Sequence, residues 1–187
     1  GLDLQGGMHL VLKVDLEKAV ENSLDLEAQD LKDALAEQQI SVVRTPTGNP
    51  RTVVFTVPNT RAVDTIVGIV EQDFPSLEKT VLADEGSFPR IVLRLSKERI
   101  DFINQNAVNQ SLEIIRNRID QFGVAEPVII RQGADEIVVQ LPGVKDPERA
   151  LKLIGQTAQL EFKLLAEGSG VDLSGLIRQA VASGQWQ

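Results

Sequence analysis

The sequence predicts an α+β protein built from two ferredoxin-like β-α-β-β-α-β units with antiparallel sheets. Short runs rich in β-branched residues alternate with longer stretches whose apolar residues recur every three or four positions. The same order of strands and helices can be followed twice along the chain. Hydrophobic residues make up 42% of the 187 residues and aromatic residues only 4%, so the predicted cores are aliphatic.

The first predicted unit covers residues 1–86. In chain order its elements are a strand at 8–14, a helix at 17–38, strands at 40–44 and 52–57, a helix between 60 and 75, and a strand at 78–83. The first helix has a single apolar face, formed by Val20, Leu24, Ala28, Leu31 and Leu35. Asn59 or Thr60 can cap the second helix, because either side chain can accept hydrogen bonds from free backbone N–H groups.

The second predicted unit covers residues 87–166. Its elements are a strand at 90–95, a long helix between Ser96 and Gly123, strands at 128–131 and 136–141, a short helix from Asp146-Pro147 to Gly155, and a strand at 158–165. Residues 166–175 hold three Gly and two Ser, so residues 167–187 are predicted to be a linker and the start of a truncated segment. One alternative stays open: the strand at 8–14 could complete the second unit and leave about 17–89 as an insertion.

The composition gives no sign of catalysis. The net charge of −8 argues against nucleic-acid binding, which needs a clustered basic surface. Cysteine is absent and His9 is the only histidine, so the chain lacks the residues for a nucleophilic triad or a thiolate metal site. Asp25, Glu27 and Asp30 lie at helical spacing and are interpreted as a solvated face. No catalytic, cofactor-binding or metal-binding residue is predicted, and the protein is not expected to be an enzyme.

Four sequence segments resemble one known family. The segment 1–7 (GLDLQGG) resembles the signature that SecD proteins carry just after their first membrane helix. Residues 116–127, 131–143 and 153–164 are similar to further SecD blocks, in the same order. The resemblance marks the following motif residues as structural or interacting: Asp3, Gln5, Gly6, Gly7, Arg116, Arg118, Gly123, Glu126, Pro127, Gln132, Gly133, Pro142 and Gly143.

Most of these residues can be given architectural roles. Gly6 and Gly7 would let the chain turn into the first strand, and Gly123 would end the long helix in a left-handed conformation. Glu126 precedes a proline and is therefore expected to be extended. Arg116 and Arg118 are expected to form ion pairs with Asp120 or Glu126, or else to contact a partner.

The resemblance implies a role in bacterial protein export. SecD acts with SecF beside the SecYEG channel, where the pair is thought to pull unfolded preproteins across the membrane using the proton-motive force. The chain would then be the first periplasmic domain of a multi-pass inner-membrane protein, without a cofactor, and residues 167–187 would begin a head. Peptide binding would use an exposed sheet face or edge. The alternative function is a small-molecule-binding regulatory module built of ferredoxin-like repeats.

Overall fold

A computed structural model of the protein describes residues 7–155 and the backbone of residues 162–166. The elements are β1 (Met8–Val14), α1 (Leu16–Glu37), β2 (Val43–Thr45), β3 (Val53–Thr56), α2 (Thr60–Asp73), β4 (Leu77–Leu82), β5 (Arg90–Leu95), α3 (Lys97–Phe122), β6 (Val128–Gln132), β7 (Glu136–Leu141), α4 (Pro147–Gly155) and β8 (Phe162–Ala166). The strands form two antiparallel four-stranded sheets, which confirms the α+β class. The linker expected at 167–187 lies outside the described residues.

The first sheet has the strand order β6-β7-β1-β8. β1 pairs with β7 from Met8↔Leu141 onward and with β8 on its other side. In chain order β1, α3, β6, β7, α4 and β8 form one ferredoxin-like unit, with its first and third strands in the centre. The strand at 8–14 therefore completes the second half of the chain, which was the open alternative.

The second sheet has the order β2-β3-β5-β4. If β5 is counted as the first strand, then α1, β2, β3, α2 and β4 follow it in the ferredoxin-like order. This unit is therefore a circular permutation of the same fold, in which the strand that normally comes first is the last in the chain. Its β4 and β5 are joined directly as an antiparallel pair, from Leu77↔Leu95 to Leu82↔Arg90.

The two compact units do not follow the expected boundary at residue 86. One unit, here called the split unit, consists of Gly1–Leu16 and Asn104–Gln187; the other, the inserted unit, is Glu17–Ile103. The division at 1–86 and 87–166 is corrected because strand pairing joins distant parts of the chain. β1 hydrogen-bonds to β7, and β5 hydrogen-bonds to β3 and β4.

Each unit has an aliphatic core built by alternation along its strands. In the inserted unit the apolar face of α1 packs in one cluster with Phe55, Ile91 and Leu93 of the central strands. In the split unit Leu10 and Leu12 of β1 are fully buried, as are their register partners on β7. The face of α1 predicted from periodicity is therefore the face that is buried.

The helix starts agree with the predicted capping residues. Asn59 Oδ1 accepts a hydrogen bond from the Ala62 N–H at 3.0 Å, Ser96 Oγ accepts one from Arg99, and Asp146 Oδ1 accepts one from Arg149. Each bond satisfies a backbone donor that the first helical turn leaves without an intrahelical partner. Local sequence therefore determines where these three helices begin.

The end of α1 explains why the following strand starts late. Gln39 has a left-handed φ of 63°, and Ile40 donates its backbone N–H to Leu35 O at 2.9 Å. This is the hydrogen-bond pattern of a helix C-cap that usually contains glycine. Because Ile40 is used in the cap, the strand predicted from residue 40 begins only at Val43.

Candidate functional site

Motif residues converge on one end of the split unit's sheet. Gly7 directly precedes β1, Pro127 directly precedes β6, and Pro142 directly follows β7. The register Met8↔Leu141 and Val128↔Gln140 brings these three chain positions to the same end of three neighbouring strands. Asp3, Gln5 and Gly6 lie outside the described residues.

The turns at this end contain left-handed residues. Gly123 has φ 77° and donates its N–H to Ile119 O at 3.2 Å, which confirms the predicted cap of α3. Gly143, after β7, has φ 67°. Glu126 was expected to be extended, and this is wrong: its φ is 51°. The chain has only a few residues in which to reverse from α3 into β6, and one of them adopts the left-handed conformation although its side chain disfavours it.

Replacing Gly123 by Val is expected to lower the free energy of unfolding by about 1–2 kcal/mol, because a β-branched residue is strained at φ 77°. A Cβ at this position would meet no atom within 4 Å, so a steric clash is not part of the effect. Asn tolerates the left-handed region better, so Gly123→Asn serves as the matched control. Thermal or urea unfolding of both variants measures the difference, and equal stability of the two would contradict the cap.

The two motif arginines do not form the expected ion pairs. Arg116 is exposed and Arg118 half-buried on α3, and within the described part of the chain neither pairs with Asp120 or Glu126. The end of α3 has a different contact, which the sequence analysis missed. The Arg149 guanidinium lies 5.4 Å from the centre of the Phe122 ring, a cation–π geometry that links α4 to α3.

Gln132 and Gly133 lie at the opposite end of the sheet, in the hairpin between β6 and β7. Gly133 has φ 65°, as a tight hairpin requires, and the Gln132 amide donates to Glu136 at 3.5 Å. Lys13 pairs with Asp135 at 3.7 Å beside this hairpin. The motif residues therefore bracket β6 at both ends.

β6 is an exposed edge strand. Val128 is 41% and Ile130 54% exposed, and no described strand pairs with the outer side of β6. The only sequence signal for this exposed edge is the uninterrupted apolar run Val128-Ile129-Ile130. A strand with one solvated face usually alternates apolar and polar residues, and β6 lacks that alternation.

The backbone of β6 offers hydrogen bonds outward at alternate residues. Val14 N–H donates to Asp135 O at 2.8 Å, so the backbone N–H and C=O groups of Asp135 point toward β1. Those of the next residue, Glu136, point toward β6. Because backbone direction alternates along an antiparallel ladder, the N–H and C=O groups of Val128 and Ile130 point toward β7. The N–H and C=O groups of Ile129 and Arg131 are directed to the free edge.

This edge presents backbone N–H and C=O groups beside the exposed side chains of Val128 and Ile130. Among the described residues no group of three or more His, Cys, Asp or Glu side chains could hold a metal ion. No described helix is long and apolar enough to cross a membrane. The fold and the edge define an α+β domain with an open strand, suited to contact with another polypeptide.

Comparison with known proteins gives the family. Residues 108–167 match the family model described as "Protein translocase subunit SecDF, P1 domain, N-terminal". The chain is 47% identical over 171 residues to a protein translocase subunit SecD of Syntrophobacter fumaroxidans, covering 90% of this chain and 32% of the relative. It is 36% identical over 165 residues to SecD of Escherichia coli K12, covering 88% of this chain and 26% of the relative.

The chain belongs to the SecD family of protein translocase subunits, and the matching part is the P1 domain. It spans about a third or less of the length of these relatives. The family model covers most of α3 and the elements that follow it in the split unit, including β6. The inserted unit lies outside that model.

Proposed function

We propose that this domain lies on the periplasmic side of the inner membrane and assists the export of unfolded preproteins, as part of a SecD subunit. In the whole protein it would act with SecF beside the SecYEG channel, in transport driven by the proton-motive force. The domain itself performs no catalysis and acts by contact. The match of residues 108–167 to the P1 domain supports the assignment.

The observation that carries the contact role is the open edge of β6. An edge strand can accept an extended chain as an additional strand, because its outward N–H and C=O groups can hydrogen-bond to a second backbone in register. Ile130 and Val128 supply apolar contacts beside these groups. An unfolded preprotein is a source of extended backbone with exposed apolar side chains, so it fits this edge.

The proposal is tested by titrating the domain with an unfolded preprotein and following backbone amide shifts. Shift changes are expected along β6, and Arg131→Pro is expected to weaken binding about tenfold or more because it removes an outward N–H. Arg131→Thr is the matched control, since it removes the same charge and keeps the N–H. Shift changes confined to the helices, or equal binding by both variants, would contradict the β6 edge as the contact.

A further inference from the structure

We propose that the inserted unit has a second polypeptide-binding edge, at β4 and the loop that follows it. The preferred partner is an extended segment in which apolar side chains alternate with cationic ones. This surface lies outside the residues that match the P1 family model, and it does not depend on β6. Three features of the described residues support it: backbone direction, exposed apolar side chains and charge.

β4 is the longer of the two edge strands of its sheet. It spans six residues, whereas β2 at the other edge spans three. The Ser96 N–H donates to Ser76 O at 2.8 Å just before the β4–β5 ladder begins at Leu77↔Leu95. By alternation, Lys79 and Val81 direct their N–H and C=O groups away from β5. A partner backbone can therefore pair with β4 without disturbing the existing sheet.

Apolar side chains are exposed beside these backbone groups. Val81 is 40%, Leu82 38% and Phe88 66% exposed. Phe88 and Arg90 line a shallow open depression together with Thr56, Gly86 and Ser87. Arg90 is the register partner of both Leu82 on β4 and Thr56 on β3, so the depression lies at this end of the sheet. A strand added to β4 would place its apolar side chains beside Val81 and Leu82.

The charges around β4 favour a cationic partner. Between residues 71 and 94 there are five carboxylates and three cations, and Arg94 is the register partner of Glu78 on β5. The other two cations are paired: Lys79 with Glu71 at 2.6 Å and Arg90 with Asp84 at 3.0 Å. The other three carboxylates, Asp73, Glu78 and Glu85, are exposed, and within the described part of the chain none has an ion pair.

The negative charge beside β4 also discriminates between possible binding partners. A second copy of the domain would bring the same carboxylates against these, and like charges at close range oppose association. An extended segment with lysine or arginine at alternate positions has the opposite charge. Its backbone can also hydrogen-bond to the outward N–H and C=O groups of Lys79 and Val81. The binding edge therefore selects for both conformation and charge.

The test uses the whole chain and two labelled hexapeptides, one of alternating Val and Lys and one of alternating Val and Glu. The Val-Lys peptide is expected to bind at least about tenfold more tightly, with amide shift changes at residues 77–82 and 88–92. Val81→Pro should abolish this binding, because proline lacks the outward N–H but is tolerated on an edge strand. Val81→Thr keeps the N–H and should bind normally.

A second variant keeps the test decisive if Val81→Pro does not fold. Glu78→Lys combined with Glu85→Lys is expected to reduce binding of the Val-Lys peptide about tenfold and to improve binding of the Val-Glu peptide. Equal affinity for both peptides, or normal binding by folded Val81→Pro, would overturn the proposal. So would concentration-dependent dimerisation through β4, or shift changes that appear only at β6. The last result would leave the proposed role of β6 intact.

Discussion

Replacing Phe55 by Ala is expected to lower the free energy of unfolding of the inserted unit by about 3–5 kcal/mol. Phe55 is 2% exposed on the central strand β3, where its register partner on β5 is the fully buried Ile91. Its ring belongs to the core cluster that includes Leu31 and Leu35 of α1. Truncation removes this buried surface and leaves a cavity that neighbouring side chains fill only in part.

Hydrogen exchange during urea unfolding measures this effect unit by unit. Amides of β3 and β5 should lose protection at lower urea, whereas amides of β1 and β7 should change little, because they belong to a different compact unit. Phe88→Ala is the matched control: the same truncation at a 66% exposed position should change stability by less than about 0.5 kcal/mol. An equal loss of protection in both units would contradict the division at Glu17 and Ile103.

Deleting residues 17–103 and joining Leu16 to Asn104 through a short Gly-Ser linker is expected to leave the split unit folded. β1, α3 from Asn104 onward, β6, β7, α4 and β8 form a complete ferredoxin-like arrangement without the deleted residues. The isolated segment 17–103 is expected to fold as well, because its sheet and core lie within its own residues. Circular dichroism and amide dispersion in NMR spectra measure both results.

The matched control for this experiment is a cut at residue 86. The fragment 87–187 keeps the second half of the chain intact but lacks β1, the strand between β7 and β8. It also carries β5 without its neighbours β3 and β4. This fragment is expected to be unfolded or aggregated, since removal of a central strand exposes two unpaired edges. A well-folded fragment 87–187 would show that the strand pairing described here is wrong.

The sequence predicted the elements well and their partners poorly. Periodicity and capping residues such as Asn59 and Ser96 are local signals, and they identified helices and strands close to their observed bounds. The pairing of β1 with β7 joins residues more than a hundred positions apart, and both strands are apolar enough to fit several neighbours. The local sequence pattern does not say which strand pairs with which. The boundary predicted at residue 86 was therefore wrong.

The same contrast applies to individual side chains. Gly123 was predicted correctly because the end of a helix needs a residue that tolerates positive φ. The carboxylates of Asp25 and Glu27 were interpreted as solvated, but they pair with Arg44 at 2.6 Å and Arg99 at 3.1 Å. These contacts join α1 to β2 and to α3, and helical spacing alone cannot indicate such partners.

The position of β1 has a consequence for the order in which the chain can fold as it is made. Of the described elements, β1 is synthesised first, whereas its two neighbours in the sheet, β7 and β8, are among the last three. The central strand of the split unit is therefore made long before either strand that it pairs with. The inserted unit is complete before β7 and β8 are made, so it can fold while β1 is still unpaired. Long-range pairing of this kind is slow, so the strand Met8–Val14 is expected to stay unpaired after the inserted unit has formed.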